Sequence, residues 1–178
     1  MRVAYLGLGS NLGDRRAHLQ DAVDGLNAAD AVRVTGCSPV YETEAHTVTP
    51  DEEQPPFLNA VVQAAVDCSP EQLLRLAKQL ERVEGRTESS ERWAPRPLDV
   101  DLLMVGNATR QTDDLVLPHP RLADRRFVLQ PWADLAPDVV VPPPFDASVR
   151  DLLRACPDTA ALRRTDLPLH PSAASNST

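Results

Sequence analysis

Asp99 and Asp101 stand two residues apart in the segment LDVDLL. On a strand, residues at i and i+2 point to one face, so both carboxylates project together while Val100 and Leu102 point to the other side. Two carboxylates on one face suit a hard cation. Mg²⁺ in particular takes a few protein oxygens and completes its shell with phosphate and water. Just before the pair come Arg92, Trp93 and Arg96, in an irregular stretch stiffened by Pro95 and Pro97, with Arg86 upstream. A second basic cluster follows in PHPRLADRRF, where His119, Arg121, Arg125 and Arg126 precede Phe127. Guanidinium groups grip phosphate bidentately and stay charged at any working pH. Arginines beside an acid pair therefore point to a polyphosphate held with a metal, the arrangement that phosphoryl transfer needs. Surface salt bridges would use the same residues, each worth under about 1 kcal/mol. Trp93 favours the ligand reading, because a loop tryptophan between arginines is better placed to cover a flat ligand than to fill a core.

The elements that must hold these residues are legible in the apolar periodicity. Val3–Leu8 reads as a strand that ends at Gly9-Ser10-Asn11, and Asp14 opens a helix with apolar Ala17, Ala22, Val23 and Leu26. The glycines of GLGSNLG lack the spacing of a P-loop or dinucleotide fold and read as a tight strand-to-helix turn. Val34–Tyr41 and Phe57–Val66 read as two strands joined by a long polar loop, Glu42–Pro56. Ser69-Pro70-Glu71 supplies an N-cap, a proline at the first helical position and an early acid, and Leu73, Leu74, Leu76, Ala77, Leu80 and Val83 form one apolar face ended by Gly85. Leu98–Val105 resumes as a strand. The order β-α-β-β-α-β fits an α+β, ferredoxin-like core with an antiparallel sheet. Phe127–Leu135 and Ser148–Ala155 are helical candidates for the sheet's other face, which would make an α-β-α sandwich. Residues 1–164 are expected to form a single domain and residues 165–178 a loose tail.

Composition narrows the function classes. The 178 residues are 42% hydrophobic and 25% charged with a net charge of −8, ordinary for a globular domain and contrary to broad nucleic-acid binding, which needs an extensive basic face. Lys78 is the only lysine among the 18 basic residues. No apolar run is long enough to cross a membrane, and Met1-Arg2 passes directly into a strand-like run, so a cytoplasmic monomer working on small molecules is expected. Cys37, Cys68 and Cys156 have no metal-site spacing and read as inert thiols.

Four blocks, GLGSNLGDR at 7–15, FLNAV at 57–61, ERWAPRPLDVDLL at 91–103 and LPHPRLADRRFVL at 117–129, occur in the order in which they stand in the 6-hydroxymethyl-7,8-dihydropterin pyrophosphokinases of folate biosynthesis. The chain resembles that family over roughly residues 1–160. The resemblance implies transfer of pyrophosphate from ATP to the pterin's hydroxymethyl oxygen, with AMP released. It implies that Asp99 and Asp101 hold two Mg²⁺ ions and that Arg86, Arg92, Arg96, Arg125 and His119 bind the polyphosphate. Lys78, Glu81, Leu102 and Trp93 match positions that line the family's nucleotide site. For the pterin it implies Asn59 at the ring's polar edge, Phe57 and Phe127 on its faces, Trp93 closing over it and Thr43 beside it. Departures lie at Lys78, where relatives often have Gln, at Glu44-Ala45-His46 in place of a proline-rich sequence, and at Glu88-Ser89-Ser90, where some relatives are basic. A nucleotidyltransferase using the same acid pair would release pyrophosphate instead of AMP. A ferredoxin-like binding module would consume no ATP.

Overall fold

The computed structural model of the chain describes residues 1–44, 54–85 and 95–172. Fourteen elements follow one another: β1 (Arg2–Ser10), α1 (Arg15–Asn27), β2 (Val32–Cys37), β3 (Tyr41–Thr43), β4 (Phe57–Val66), α2 (Pro70–Val83), β5 (Asp99–Val105), β6 (Arg110–Gln111), β7 (Val116–Leu117), α3 (Arg126–Leu135), β8 (Val140–Val141), β9 (Ala147–Ser148), α4 (Val149–Ala155) and β10 (Arg163–Arg164). The main sheet runs β10-β3-β4-β1-β5, with β2 also paired to β4, and every pairing is antiparallel. That is the strand order of the expected β-α-β-β-α-β core, extended at one edge.

Local chemistry sets the helix ends. The Asp14 carboxylate accepts the Ala17 N–H at 3.0 Å and caps α1. At α2 a reciprocal capping box forms: the Ser69 hydroxyl accepts the Gln72 N–H, and the Gln72 side chain accepts the Ser69 N–H. Gly85 then takes a φ of +93°, a left-handed conformation that ends the helix and that glycine adopts without strain.

Both sheet faces are covered. Leu19, Ala22, Val23 and Leu26 of α1 and Leu73 and Ala77 of α2 pack on Ala4, Leu6, Leu8, Val62, Val100 and Leu102. On the opposite face Val128, Leu129 and Trp132 of α3 pack with Tyr5, Val61, Leu103 and Met104, and Tyr5 meets Trp132 with ring centroids 5.0 Å apart. The α-β-α sandwich is thus present, with α1 and α2 on one face and α3 and α4 on the other.

Two expectations change in detail. The strand expected over Val34–Tyr41 is split into β2 and β3 at Ser38-Pro39-Val40. Pro39 has no N–H to give a ladder, and the Ser38 hydroxyl substitutes locally by accepting the Val61 N–H at 2.8 Å. The segment expected to trail loosely from residue 165 is docked as far as Ser172. Leu169 is buried among the residues packed on α1, the Gln20 side chain bonds both His170 backbone groups, and Asp24 and Asn27 hold Ser172. One buried leucine and four hydrogen bonds override a polar composition here. No helix among the described residues is long and apolar enough to cross a membrane.

Candidate functional site

The strands bring the chemistry-bearing residues to one end of the sheet, on the α3 face. Gly9 of central β1 lies opposite Asn59 of β4 on one side and opposite Asp99 of β5 on the other, and Gly7 lies opposite Asp101. A Cβ at Gly9 would sit 3.5 Å from Asn59 Oδ1, 3.9 Å from Phe57 and 4.0 Å from the Asp99 Cβ. The strand floor is therefore bare between an amide and a carboxylate. Above it opens a cavity of about 460 Å³, within the range of small-molecule sites.

One end of the cavity is charged. Arg96 Nη1 donates to Asp99 Oδ1 at 3.1 Å, and Arg125 Nη1 donates to Asp101 Oδ2 at 3.0 Å. The acid side chains keep 27% and 46% of their surface open, so both remain reachable from solvent. His119 is fixed beside them: its backbone N–H donates to the Leu103 carbonyl of β5, and its Nε2 stands 4.0 Å from Asp101 Oδ2. Its Nδ1 accepts the Arg121 N–H at 3.1 Å, which leaves the proton of the neutral ring on Nε2, facing the cavity. Burial, followed by the charges of Arg125 and Arg121, lowers its pKa from 6.5 against the opposing pull of Asp101. His119 is therefore a neutral donor at pH 7, not a charged one.

The other end is lined by a buried amide and by aromatic side chains. Asn59 is buried, and its Nδ2 donates to the buried Thr43 hydroxyl at 2.9 Å. That bond orients the amide across the β3–β4 ladder, where Tyr41 faces Asn59 and Thr43 faces Phe57. Phe57 and Phe127 line the cavity, and the Arg125 guanidinium lies 5.8 Å from the Phe127 ring centre, joining the two ends. Tyr41 ties β3 to α3, its hydroxyl donating to Asp134 at 2.6 Å. Burial and that bond push its pKa to about 12.

Of the expected residues, Thr43, Phe57, Asn59, Arg96, Asp99, Asp101, His119, Arg125 and Phe127 all border this cavity. Arg86, Arg92 and Trp93 lie outside the described residues, as do Ala45, His46 and Glu88. Lys78, Glu81 and Leu102 do not border it. Leu102 falls on the opposite face by the same alternation that exposes Asp101, and is buried in the core under α1 and α2. Glu81 is buried at the edge of β5, where its carboxylate accepts the Val100 N–H at 2.9 Å, and Lys78 is exposed on α2. Among the described residues no group of three or more His, Cys, Asp or Glu could hold a metal alone.

Further residues border the cavity, of which Arg121 stood in the sequence reading as part of the second basic cluster, without a site role of its own. Gly7 and Gly9, read as turn glycines, form the floor; their alternation with Leu8, which faces the core, was the available signal. Arg121 borders the cavity as a further cation. Ala160 and Leu162 border it from the C-terminal segment, and nothing in their residue types announces this.

Geometry of this kind defines an α+β, ferredoxin-like domain with an open cavity that is charged at one end and lined by a buried amide and two phenyl rings at the other. The comparisons give the same class a family. Residues 5–137 match the family model described as 7,8-dihydro-6-hydroxymethylpterin-pyrophosphokinase. The 2-amino-4-hydroxy-6-hydroxymethyldihydropteridine pyrophosphokinase of Bacillus subtilis is 41% identical over 137 residues, covering 77% of this chain and 80% of that protein. The protein of that description from Pseudomonas aeruginosa is 35% identical over 153 residues, covering 86% and 91%. The solved wild-type HPPK-DHPS of Plasmodium falciparum superposes with a TM-score of 0.66 at 14% identity over 86% of this chain; the chain spans only 44% of that longer structure, and the likeness bears on fold alone. The chain belongs to the 7,8-dihydro-6-hydroxymethylpterin-pyrophosphokinase family.

Proposed function

We propose that this cavity is where the chain carries out its family's reaction, the transfer of pyrophosphate from ATP to the hydroxymethyl group of 6-hydroxymethyl-7,8-dihydropterin in folate synthesis. One observation carries the assignment of the site: Asn59, Gly9 and Asp99 form a single row across three adjacent strands. Neighbouring strands lie about 5 Å apart, so the Asn59 and Asp99 backbones stand roughly 10 Å from each other across an open floor. A pterin whose pyrimidinone edge meets Asn59 would direct its hydroxymethyl group toward Asp99, where the phosphate chain arrives.

In this reading Asn59 offers both a donor and an acceptor to the ring edge, Phe57 and Phe127 cover its faces, and Thr43 holds the amide in register. Arg96, Arg125 and Arg121 bind and neutralise the polyphosphate. The His119 Nε2–H donates to a phosphate oxygen and has no role as a base. Asp99 and Asp101 fit Mg²⁺: they are hard oxygen donors on one face, open to solvent, in a place with too few protein ligands for any cation that does not bring its own. When bound there, as the resemblance implies for two ions, Mg²⁺ would offset phosphate charge and orient the β-phosphorus. The arginines now paired with the two acids would turn to phosphate as the acids turn to the metal. Proximity does the remaining work, since two ligands fixed side by side react as one. By the resemblance Arg86, Arg92 and Trp93 would bind the nucleotide, and Glu81, which accepts the Val100 N–H, would hold β5 in place; Leu102 packs in the core and Lys78 lies on the exposed side of α2. The reading needs no residue from a second copy of the chain.

The test is a product assay. With Mg²⁺, ATP and 6-hydroxymethyl-7,8-dihydropterin, AMP should form only when all three are present. Release of pyrophosphate would indicate nucleotidyl transfer, and no nucleotide turnover at high protein concentration would leave a binding module.

A further inference from the structure

The family model's match ends at residue 137, yet the chain continues past α4 as a strap that returns to the ring end of the cavity. The strap is pinned along its length. Asp158 accepts the Arg126 N–H at the start of α3 at 3.0 Å and the Ala160 N–H at 2.9 Å, so it begins one residue from Phe127. Arg163 and Arg164 then pair with Glu42 and Tyr41 as β10 on β3, and Arg163 donates to Glu42 at 2.6 Å. The Thr165 N–H and hydroxyl both reach the Val40 carbonyl, at 2.9 and 3.0 Å. Beyond this the docked residues 167–172 anchor the end on α1, with Leu169 buried.

Between these anchors, Ala160 and Leu162 border the cavity. The β10–β3 register places Leu162 level with Thr43, and alternation turns it to the same face as Thr43, whose hydroxyl holds Asn59. The strap thus adds one strand to the floor that β5, β1, β4 and β3 form, at the end where the ring would lie. Leu162 is half-buried there. An apolar side chain in that position suits the edge of a flat heterocycle and contributes nothing to phosphate.

We infer that the strap is the outer wall of the ring pocket, with Leu162 as a specificity-determining residue that packs against the edge of the bound pterin and Ala160 as the small residue that leaves room for it. The inference rests on the reading of the cavity given above. Leu162 does no chemistry; it raises the affinity for the ring and excludes water from one side of it.

The experiment is calorimetric titration of the full chain with 6-hydroxymethyl-7,8-dihydropterin, with a non-hydrolysable ATP analogue and Mg²⁺ present, and separately with the analogue alone. Leu162→Ala should weaken pterin binding about fivefold to tenfold, as expected for lost apolar burial. The analogue's own affinity should stay within about twofold, and Leu162→Met should bind pterin nearly as the unsubstituted chain does. Ala160→Leu tests the wall from the other direction: it adds bulk where Leu162→Ala removes it, and should also weaken pterin alone. Pterin affinity unchanged in both Leu162→Ala and Ala160→Leu would overturn the inference while leaving the cavity's function intact. Equal losses for pterin and analogue would overturn it as well, because the wall is remote from the charged end. No pterin binding by the unsubstituted chain would overturn both readings together.

Discussion

The two ends of the cavity are stabilised in opposite ways. At the charged end the acids and arginines satisfy one another in part-exposed pairs, Arg96 with Asp99 and Arg125 with Asp101. Such pairs contribute little to folding and open at little cost. At the ring end the polar group that matters is buried: Asn59 is 5% exposed and Thr43 8%, with one hydrogen bond between them. A buried amide must keep its partner or lose stability. The charged end is therefore free to exchange partners when a ligand arrives, and the ring end is preorganised before it does. Catalytic defects and folding defects should separate along this line.

The largest effect is expected at the charged end. Asp99→Ala and Asp101→Ala should each lower kcat by roughly three orders of magnitude, about 4 kcal/mol of transition-state stabilisation. The thermal midpoint should barely move. A large drop in midpoint alongside the lost activity would break the comparison, because it would make the pairs structural. Asn59→Ala should show the reverse pairing of effects. We expect pterin affinity to fall by about a hundredfold and stability to drop by roughly 1–2 kcal/mol, because the Thr43 hydroxyl then loses its buried donor. Chemical denaturation and pterin titration on the same variant would check both.

Between the two ends, Gly9→Val is expected to keep the sheet, since the residue is extended and an added Cβ meets only ordinary contacts. Its further methyl groups would fill the floor between Asn59 and Asp99, raising KM for both substrates with a small change in midpoint. A rise for one substrate alone would sharpen the picture by showing which ligand lies over β1. Arg121→Ala should raise KM for ATP by about fivefold to tenfold with kcat and stability nearly unchanged, as for a single exposed phosphate contact.

The smallest effect concerns β3 and the strap. Arg163, together with Arg15, holds the Glu42 carboxyl below its ordinary 4.5 in spite of partial burial. A depressed folded-state pKa gives stability that is present above the unfolded value and is lost as pH falls through the folded one. Thermal midpoints of the unsubstituted chain should therefore fall between pH 5 and more acidic conditions by more than those of Glu42→Gln, which has nothing to protonate there. Equal acid sensitivity would mean that these pairs do not hold the strap.

How much of this was legible beforehand differed between the two ends for the same reason. Asp99, Asp101, Arg96, His119 and Arg125 lie in two short stretches of chain, and a strand's two-residue period is enough to put both acids on one face. The helices were equally readable, because Ser69-Pro70 and Asp14 cap them through contacts three residues away. The ring end depends on strands that pair across long separations. Register alone sets Gly9 between Asn59 and Asp99, and the same alternation removes Leu102 from the cavity and leaves Glu81 holding the Val100 N–H.

Local periodicity and capping in the sequence determined the helices, the core strands, the charged cluster and, through its motifs, the family. Only the tertiary structure decided that glycines form the floor, that β2 and β3 part at Pro39, and that the polar segment after α4 returns to wall the cavity. Caps and alternation act over a few residues, whereas a floor or a wall exists only once strands distant in the chain have been brought into register.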